Sequence, residues 1–182
     1  MLRLFFALQP APEVGARIMA GAAPLLGEMG AQATPVSNLH ATLCFLGAVE
    51  PDRLDALRAA AEKVRAARCQ IEFDTFEYWE KPRVVVAGAS RESPAAAELS
   101  SSLHETVSAA GFTPDAKPFR PHLTLARKIS PTSAAKISWP VKISPGFVVC
   151  ADRFALMESR RGEHASIYSV VYEWHLDEEK SR

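Results

Sequence analysis

Two tetrapeptides of the same pattern, His-x-Thr-Leu, occur once in each half of the chain, at residues 40–43 and 122–125. Each lies in a short, largely apolar segment that predicts a strand, at residues 39–46 and 120–128. Side chains at positions i and i+2 of a strand project from the same face. Each strand therefore places one imidazole beside one hydroxyl on an accessible face, while the apolar residues between them suit the core.

The rest of the chain alternates between strand-like and helix-like patterns. Further strands are predicted at residues 2–8, 69–79, 83–89, 147–158 and 166–176, and helices at residues 12–29, 51–67 and 93–110. Several strand pairs look like hairpins, and the order strand, helix, strand occurs in both halves. These patterns indicate an α+β fold with antiparallel or mixed sheets rather than a doubly wound parallel sheet.

Composition excludes several classes of protein. The 21 basic and 21 acidic residues cancel, whereas proteins that bind long nucleic-acid duplexes usually carry a positive excess. The three cysteines are odd in number and widely spaced, which favours a reducing cytoplasm over a disulfide framework. No segment has the length of a membrane span, and the apolar start is too short for a signal peptide.

Two His-Thr pairs are suited to chemistry at a phosphate. An imidazole titrates near neutral pH, so one ring can act as a general base while the other acts as a general acid. A threonine hydroxyl donates a hydrogen bond to a phosphoryl oxygen without adding charge. If the pairs face each other, His40 with Thr42 and His122 with Thr124 can enclose one phosphorus centre, as in-line displacement requires.

The charge pattern supports an anionic ligand near the second pair. Residues 29–49 carry no charged side chain, whereas residues 116–151 carry six basic side chains and no acidic one. Arg127 is the best candidate for a phosphate contact, because a guanidinium can form two parallel hydrogen bonds to phosphate oxygens. Its strand parity relative to His122 is wrong, so the contact requires a bulge, a strand end or the reach of the side chain.

Other interpretations stay open for several residues. Neither motif contains a third metal ligand, so we predict no metal site. A single His-x-Thr in a strand is usually structural, but two matching copies argue against that interpretation. Asn38 could orient His40 or its loop, but we expect it in a turn. We expect His104 and His164 on the surface and His175 in a strand. An aromatic ring can stack on an unpaired base, but we expect the three tryptophans in the core or at its edge: Trp79, Trp139 and Trp174.

The paired motifs resemble the 2H phosphoesterase superfamily. The segments RLFFAL, NLHATLCFLG, PFRPHLTLAR and LMESRRGEHASIYSVVYEWHL are similar to its bacterial RNA 2',3'-cyclic phosphodiesterase branch, also called the 2'-5' RNA ligase family. The resemblance covers nearly the whole chain. It implies a single domain over residues 1–182, made of two similar, intertwined lobes with helices outside and an active site in the cleft between them.

The resemblance also implies an activity and its residues. The reaction is hydrolysis of an RNA or nucleoside 2',3'-cyclic phosphate to a 2'-phosphate without metal or cofactor, with possible reversible 2'-5' ligation. His40 would be the proton donor and His122 the proton acceptor, and Thr42, Thr124 and Arg127 would bind the phosphate. The alternatives are a phosphodiesterase acting on another small cyclic or 2'-5' linked nucleotide, and a non-catalytic module that binds RNA ends. We expect a cytoplasmic monomer whose partners are RNA 3' ends or cyclic nucleotides and not membranes.

Overall fold

The computed structural model describes residues 1–162 and 166–178 of the chain. Its strands are β1 (Leu2–Leu8), β2 (Ala41–Val49), β3 (Cys69–Trp79), β4 (Val84–Gly88), β5 (His122–Arg127), β6 (Val141–Ala151), β7 (Arg153–Arg161) and β8 (Ser166–His175). Its helices are α1 (Pro12–Glu28), α2 (Leu54–Ala61), α3 (Pro94–Ala109) and α4 (Pro131–Ala134). His164 lies outside the described residues.

These strands form two antiparallel sheets of four. Sheet A has the order β2-β1-β7-β8, so it takes strands from both ends of the chain. Sheet B has the order β5-β4-β3-β6 and is built from the middle of the chain. The two His-x-Thr-Leu copies lie in different sheets, at the edge strands β2 and β5, with His40 directly before the start of β2. This is the predicted α+β, two-lobed architecture.

Strand β1 shows how a sheet face is left for a site. Leu4, Phe6 and Leu8 are buried in the main core, where Ile18 of α1 is also buried. Phe5 and its neighbours on the opposite face form a separate small cluster, against which the ring of His40 packs. The sequence of β1 is continuously apolar because both of its faces are buried, each in a different cluster. One face of β1 contributes to the core and the other supports the first motif.

Two element predictions were wrong. Residues 147–158 are not one strand, because the chain leaves sheet B at the end of β6 and enters sheet A as β7 one residue later. The apolar pattern continues through this crossing, so periodicity alone cannot detect it. The helix predicted at 51–67 is a 3₁₀ turn at Pro51–Arg53 followed by the shorter α2. The sequence patterns also missed α4.

Both motif strands carry a β-bulge at the same motif position. In β2, Thr42 pairs with Ala7 and Cys44 pairs with Phe6, so Leu43 has no partner across the ladder. In β5, Thr124 and Ala126 are likewise paired while Leu125 is skipped. A bulge inserts one extra residue and changes which face the following side chains occupy. The leucine of each tetrapeptide is therefore the bulged residue.

Hydrogen bonds connect the two lobes beside the motifs. The Thr34 amide donates to the Leu125 carbonyl at 2.7 Å, and Ala33 forms an antiparallel bridge with Ala126. The segment that leads into the first motif is thus bonded to the bulge of the second. The buried Ser100 hydroxyl of α3 donates to the Leu43 carbonyl at 2.6 Å, so the carbonyl of the bulged residue in the first motif has a hydrogen-bond partner.

Candidate active site

His40 and His122 have the same hydrogen-bonding environment. The Nδ1 atom of each ring lies 2.8 Å from a backbone carbonyl two residues earlier, that of Asn38 for His40 and that of Arg120 for His122. A carbonyl oxygen only accepts, so Nδ1 carries the proton in both neutral rings. Each Nε2 then has a free lone pair, and within the described part of the chain neither Nε2 has a protein hydrogen-bond partner.

Aromatic side chains hold both imidazoles in place. The His40 ring packs against Phe5 and against the edge of Tyr168, each at a centroid distance of 4.8 Å. The His122 ring packs against Trp79 at 4.5 Å. Both histidines are half-buried. Each ring is therefore fixed by one hydrogen bond and by aromatic packing, which suits a group that must transfer a proton in a defined direction.

The two motifs meet at one cleft. Strands β2 and β5 contact each other, and Thr42 and His122 line the same cavity of about 390 Å³. The charges of His122 and Arg127 both lower the pKa of His40, so these groups lie within electrostatic reach of one another. Thr124 is half-buried two residues from His122 on the same strand. The structure thus places Thr42 and His122 at one cavity and His40 within electrostatic reach of His122 and Arg127.

The bulge at Leu125 resolves the parity of Arg127. His122, Thr124 and Arg127 are opposite Gly88, Val86 and Val84, which alternate along β4 and share one face. Arg127 therefore lies on the face of β5 that carries the two motif side chains. It is exposed, and its charge lowers the pKa of both histidines. This is the position that a phosphate-binding arginine requires.

Burial is the main cause of the histidine pKa shifts. It lowers the pKa of His40 to about 4, against a smaller opposing effect of the hydrogen bond to Asn38. It also lowers the pKa of His122, and Arg120 and Arg127 lower it further. Arg127 thus acts on both rings, and burial has the larger effect on each.

The buried His40 should make folding stability depend on pH. Between pH 6.5 and 4 the unfolded chain binds a proton at His40 that the folded chain does not bind. The free energy of unfolding is therefore not reduced by His40 above pH 6.5. It falls by about 3 kcal/mol as the pH drops from 6.5 to 4. Urea unfolding of wild type and His40→Gln at pH 7 and pH 4 should show a smaller acid loss in the variant.

His175→Gln is the matched control for this measurement, because His175 is exposed at the end of β8. The control should keep the acid sensitivity of the wild type. Equal acid losses in wild type and His40→Gln would contradict the account of a buried, neutral His40.

Sequence reasoning missed several residues at the site. Trp79 packs on His122 rather than serving only the core or its edge, and Glu77 accepts a hydrogen bond from the Trp79 indole at 2.8 Å. His104 is not a surface residue: it is half-buried, lines the cavity and lies within hydrogen-bonding distance of the Ser100 and Asp115 carbonyls. The available sequence signal was the alternation of apolar and acidic residues in the strand predicted at residues 69–79.

A larger cavity of about 1460 Å³ is lined by none of the five predicted site residues. Residues 1–162 and 166–178 contain no cluster of three His, Cys, Asp or Glu side chains that could hold a metal ion. In the same residues, no helix has the length and apolar character needed to cross a membrane.

Known proteins resemble this chain over most of its length. The family model of the 2'-5' RNA ligase superfamily matches residues 12–163. A protein of Escherichia coli (strain K12) named RNA 2',3'-cyclic phosphodiesterase is 30% identical over 128 residues, which are 70% of this chain and 73% of that protein. A protein of Archaeoglobus fulgidus with the same name is 31% identical over 129 residues, 69% of this chain and 72% of that protein.

Solved structures give the same result for the fold. The crystal structure of E. coli LigT complexed with 3'-AMP superimposes with a TM-score of 0.84 at 26% sequence identity, covering 96% of this chain and 98% of that one. The crystal structure of a Thermus thermophilus protein, TT0787, superimposes with a TM-score of 0.79 at 27% identity, covering 98% of this chain and 100% of the other. The likeness therefore extends over both sheets and the cleft between them.

Proposed function

Because the chain belongs to the 2'-5' RNA ligase superfamily, we propose that it is an enzyme that hydrolyses RNA or nucleoside 2',3'-cyclic phosphates to 2'-phosphates. The observation that supports this most directly is that the two His-Thr motifs lie at strands that contact each other, each histidine with Nδ1 bonded to a backbone carbonyl. The reaction uses no metal and no cofactor, since the two imidazoles supply the acid and the base.

The reaction is assigned one proton transfer to each histidine. Nε2 of His122 accepts a proton from water as the water oxygen forms a bond to phosphorus. The bond between phosphorus and O3' breaks, and Nε2 of the protonated His40 donates its proton to the leaving O3'. The hydroxyls of Thr42 and Thr124 and the guanidinium of Arg127 bind the non-bridging oxygens. The products are a 2'-phosphate and a free 3'-hydroxyl.

The assignment requires that bound substrate protonate His40. With a pKa of about 4, this ring is mostly neutral at pH 7 in the free protein. A phosphodiester anion about 4 Å away contributes ~4 kcal/mol to the imidazolium at an effective dielectric constant of 20. That energy corresponds to a rise of about 3 units in the pKa of His40, enough to bring this pKa close to neutral pH. The negative charge of the substrate thus stabilises the protonated form of His40, which the site without ligand disfavours.

A nucleoside 2',3'-cyclic monophosphate assay tests the proposed function. We expect turnover to the 2'-phosphate isomer, identified by phosphorus NMR, with the same rate in the presence of EDTA. Loss of activity in EDTA, or formation of the 3'-phosphate, would contradict the mechanism. Hydrolysis only of other cyclic or 2'-5' linked nucleotides would support the first alternative, and binding of RNA ends without turnover would support the second.

The same groups also serve ligation in this proposal. If the 5'-hydroxyl of an RNA takes the place of water, its attack on the cyclic phosphate with departure of O3' gives a 2'-5' linkage. His122 then accepts the proton of the hydroxyl, and His40 keeps its role. RNA 3' ends that carry a cyclic phosphate are accordingly the proposed partners, and the formal net charge of zero fits contact with an end rather than a long duplex.

A further inference from the structure

Glu77 forms a network of hydrogen bonds on the cleft face of sheet B. Its Oε2 atom accepts from the Arg120 guanidinium at 2.7 Å and from the Trp79 indole at 2.8 Å. Its Oε1 atom lies 3.1 Å from the hydroxyl of the buried Thr75. The Glu77 side chain is only 22% exposed, so this ion pair with Arg120 is partly shielded from water. Both carboxylate oxygens are thus engaged.

Gly88 leaves the space that this carboxylate occupies. It is the residue on β4 opposite both Thr75 and His122. A Cβ atom there would overlap Oε1 of Glu77 and would lie 2.9 Å from the Thr75 hydroxyl. The Glu77 carboxylate can therefore lie over the strand next to His122 only because residue 88 has no side chain.

Both residues held by Glu77 hold His122 in turn. The Arg120 carbonyl accepts from Nδ1 of His122, and the Trp79 ring packs on the imidazole. The Arg120 guanidinium also lies over Trp79, 4.5 Å from the ring centroid. The contacts form a closed circuit of four residues, in which the Glu77 carboxylate bonds the side chains of Arg120 and Trp79, and the Arg120 carbonyl and the Trp79 ring contact the imidazole.

We propose that Glu77 is a positioning residue for His122: through Arg120 and Trp79 it fixes the Nδ1–H tautomer, the ring orientation and the electrostatic environment of this histidine. This role rests on the proposed function insofar as His122 is the proton acceptor. The fixed geometry itself concerns the free protein and can be measured without substrate.

The charges around His122 predict the direction in which its pKa shifts when the network is changed. The charged groups that act on it are Arg120, Arg127 from β5 and Glu77 from β3. The charge of His122 in turn acts on His40, and Lys142 on β6 is opposite Thr75. Burial, Arg120 and Arg127 lower the pKa of His122, and the Glu77 charge raises it. Removing the Glu77 charge should therefore lower this pKa further.

Histidine NMR of the free protein tests the proposal. In Glu77→Gln the amide keeps the shape and can still accept from Trp79, so we expect the Nδ1–H tautomer to persist while the pKa of His122 falls. In Glu77→Ala the tautomer should become mixed. Glu72→Gln is the matched control, because Glu72 is exposed on the same strand and its replacement should change neither property. An unchanged His122 titration in Glu77→Gln, or an equal change in the control, would overturn the proposal.

Kinetics provide the second readout. Glu77→Gln should move the limb of the kcat/KM profile that reports His122 to lower pH, since the base must be neutral. Glu77→Ala should lower kcat about 10²-fold with little change in KM, because the ring is misplaced. A purely structural role would change stability but leave the pH profile in place. If the wild type hydrolyses no cyclic phosphate, the proposed function fails, and the NMR result still decides the role of Glu77.

Discussion

Replacing either histidine by alanine is expected to nearly abolish turnover, each at a cost of about 10² to 10⁴ in rate. Each ring has an Nε2 without a protein partner in the described part of the chain, and no third imidazole there has the same environment. The double variant should lose little more than either single one, because acid and base act in one concerted step. Rates with a nucleoside 2',3'-cyclic monophosphate measure this effect.

The matched control is His175→Ala, which removes an exposed imidazole from the end of β8. It should retain wild-type activity. Near-UV circular dichroism establishes that His40→Ala and His122→Ala keep their tertiary packing. The two-histidine mechanism fails if either folded single variant retains most of its activity.

Removing one motif hydroxyl should have the next largest effect. Thr42→Val and Thr124→Val keep the shape of the side chain and remove only its hydrogen-bond donor. Loss of one donor to a developing oxyanion typically costs about 10² to 10³ in kcat. Because both threonines are half-buried beside a histidine, water can replace the missing donor only poorly. We expect each variant to lose kcat by this factor while KM changes less.

Thr132→Val is the comparison for these variants, since Thr132 is exposed on α4. It should behave as wild type. If Thr42→Val and Thr124→Val affected only KM, the hydroxyls would serve ground-state binding rather than stabilisation of the transition state. Full activity in both variants would show that the threonine hydroxyls play no part in catalysis.

The motif geometry could be predicted from sequence, because it depends only on the two-residue period of a strand. The pattern put His40 with Thr42 and His122 with Thr124, and in the structure Thr42 and His122 line one cavity. The side on which Arg127 lies could not be predicted, since it depends on whether Leu125 is bulged. Bulges arise from the pairing of strands and leave little local trace in the sequence.

The residues around the histidines were also beyond sequence reasoning. Glu77 and Trp79 reach His122 because β3, β4 and β5 are neighbours in a particular register, with Gly88 between them. Register is set by contacts between distant segments, so a single sequence does not define it. The half-buried His104 is a similar case, because the segment that contains Asp115 folds back over α3.

The backbone bond from Thr34 to Leu125 has a consequence for how the cleft meets its ligand. The segment that leads into the first motif is hydrogen-bonded to the bulged residue of the second. The relative position of the two motifs is therefore set when the chain folds. The site is then preorganised for the proposed phosphate ligand, so little binding energy would be spent on bringing the two sheets together. The size and charge of the ligand, rather than an induced closure, would then determine selectivity.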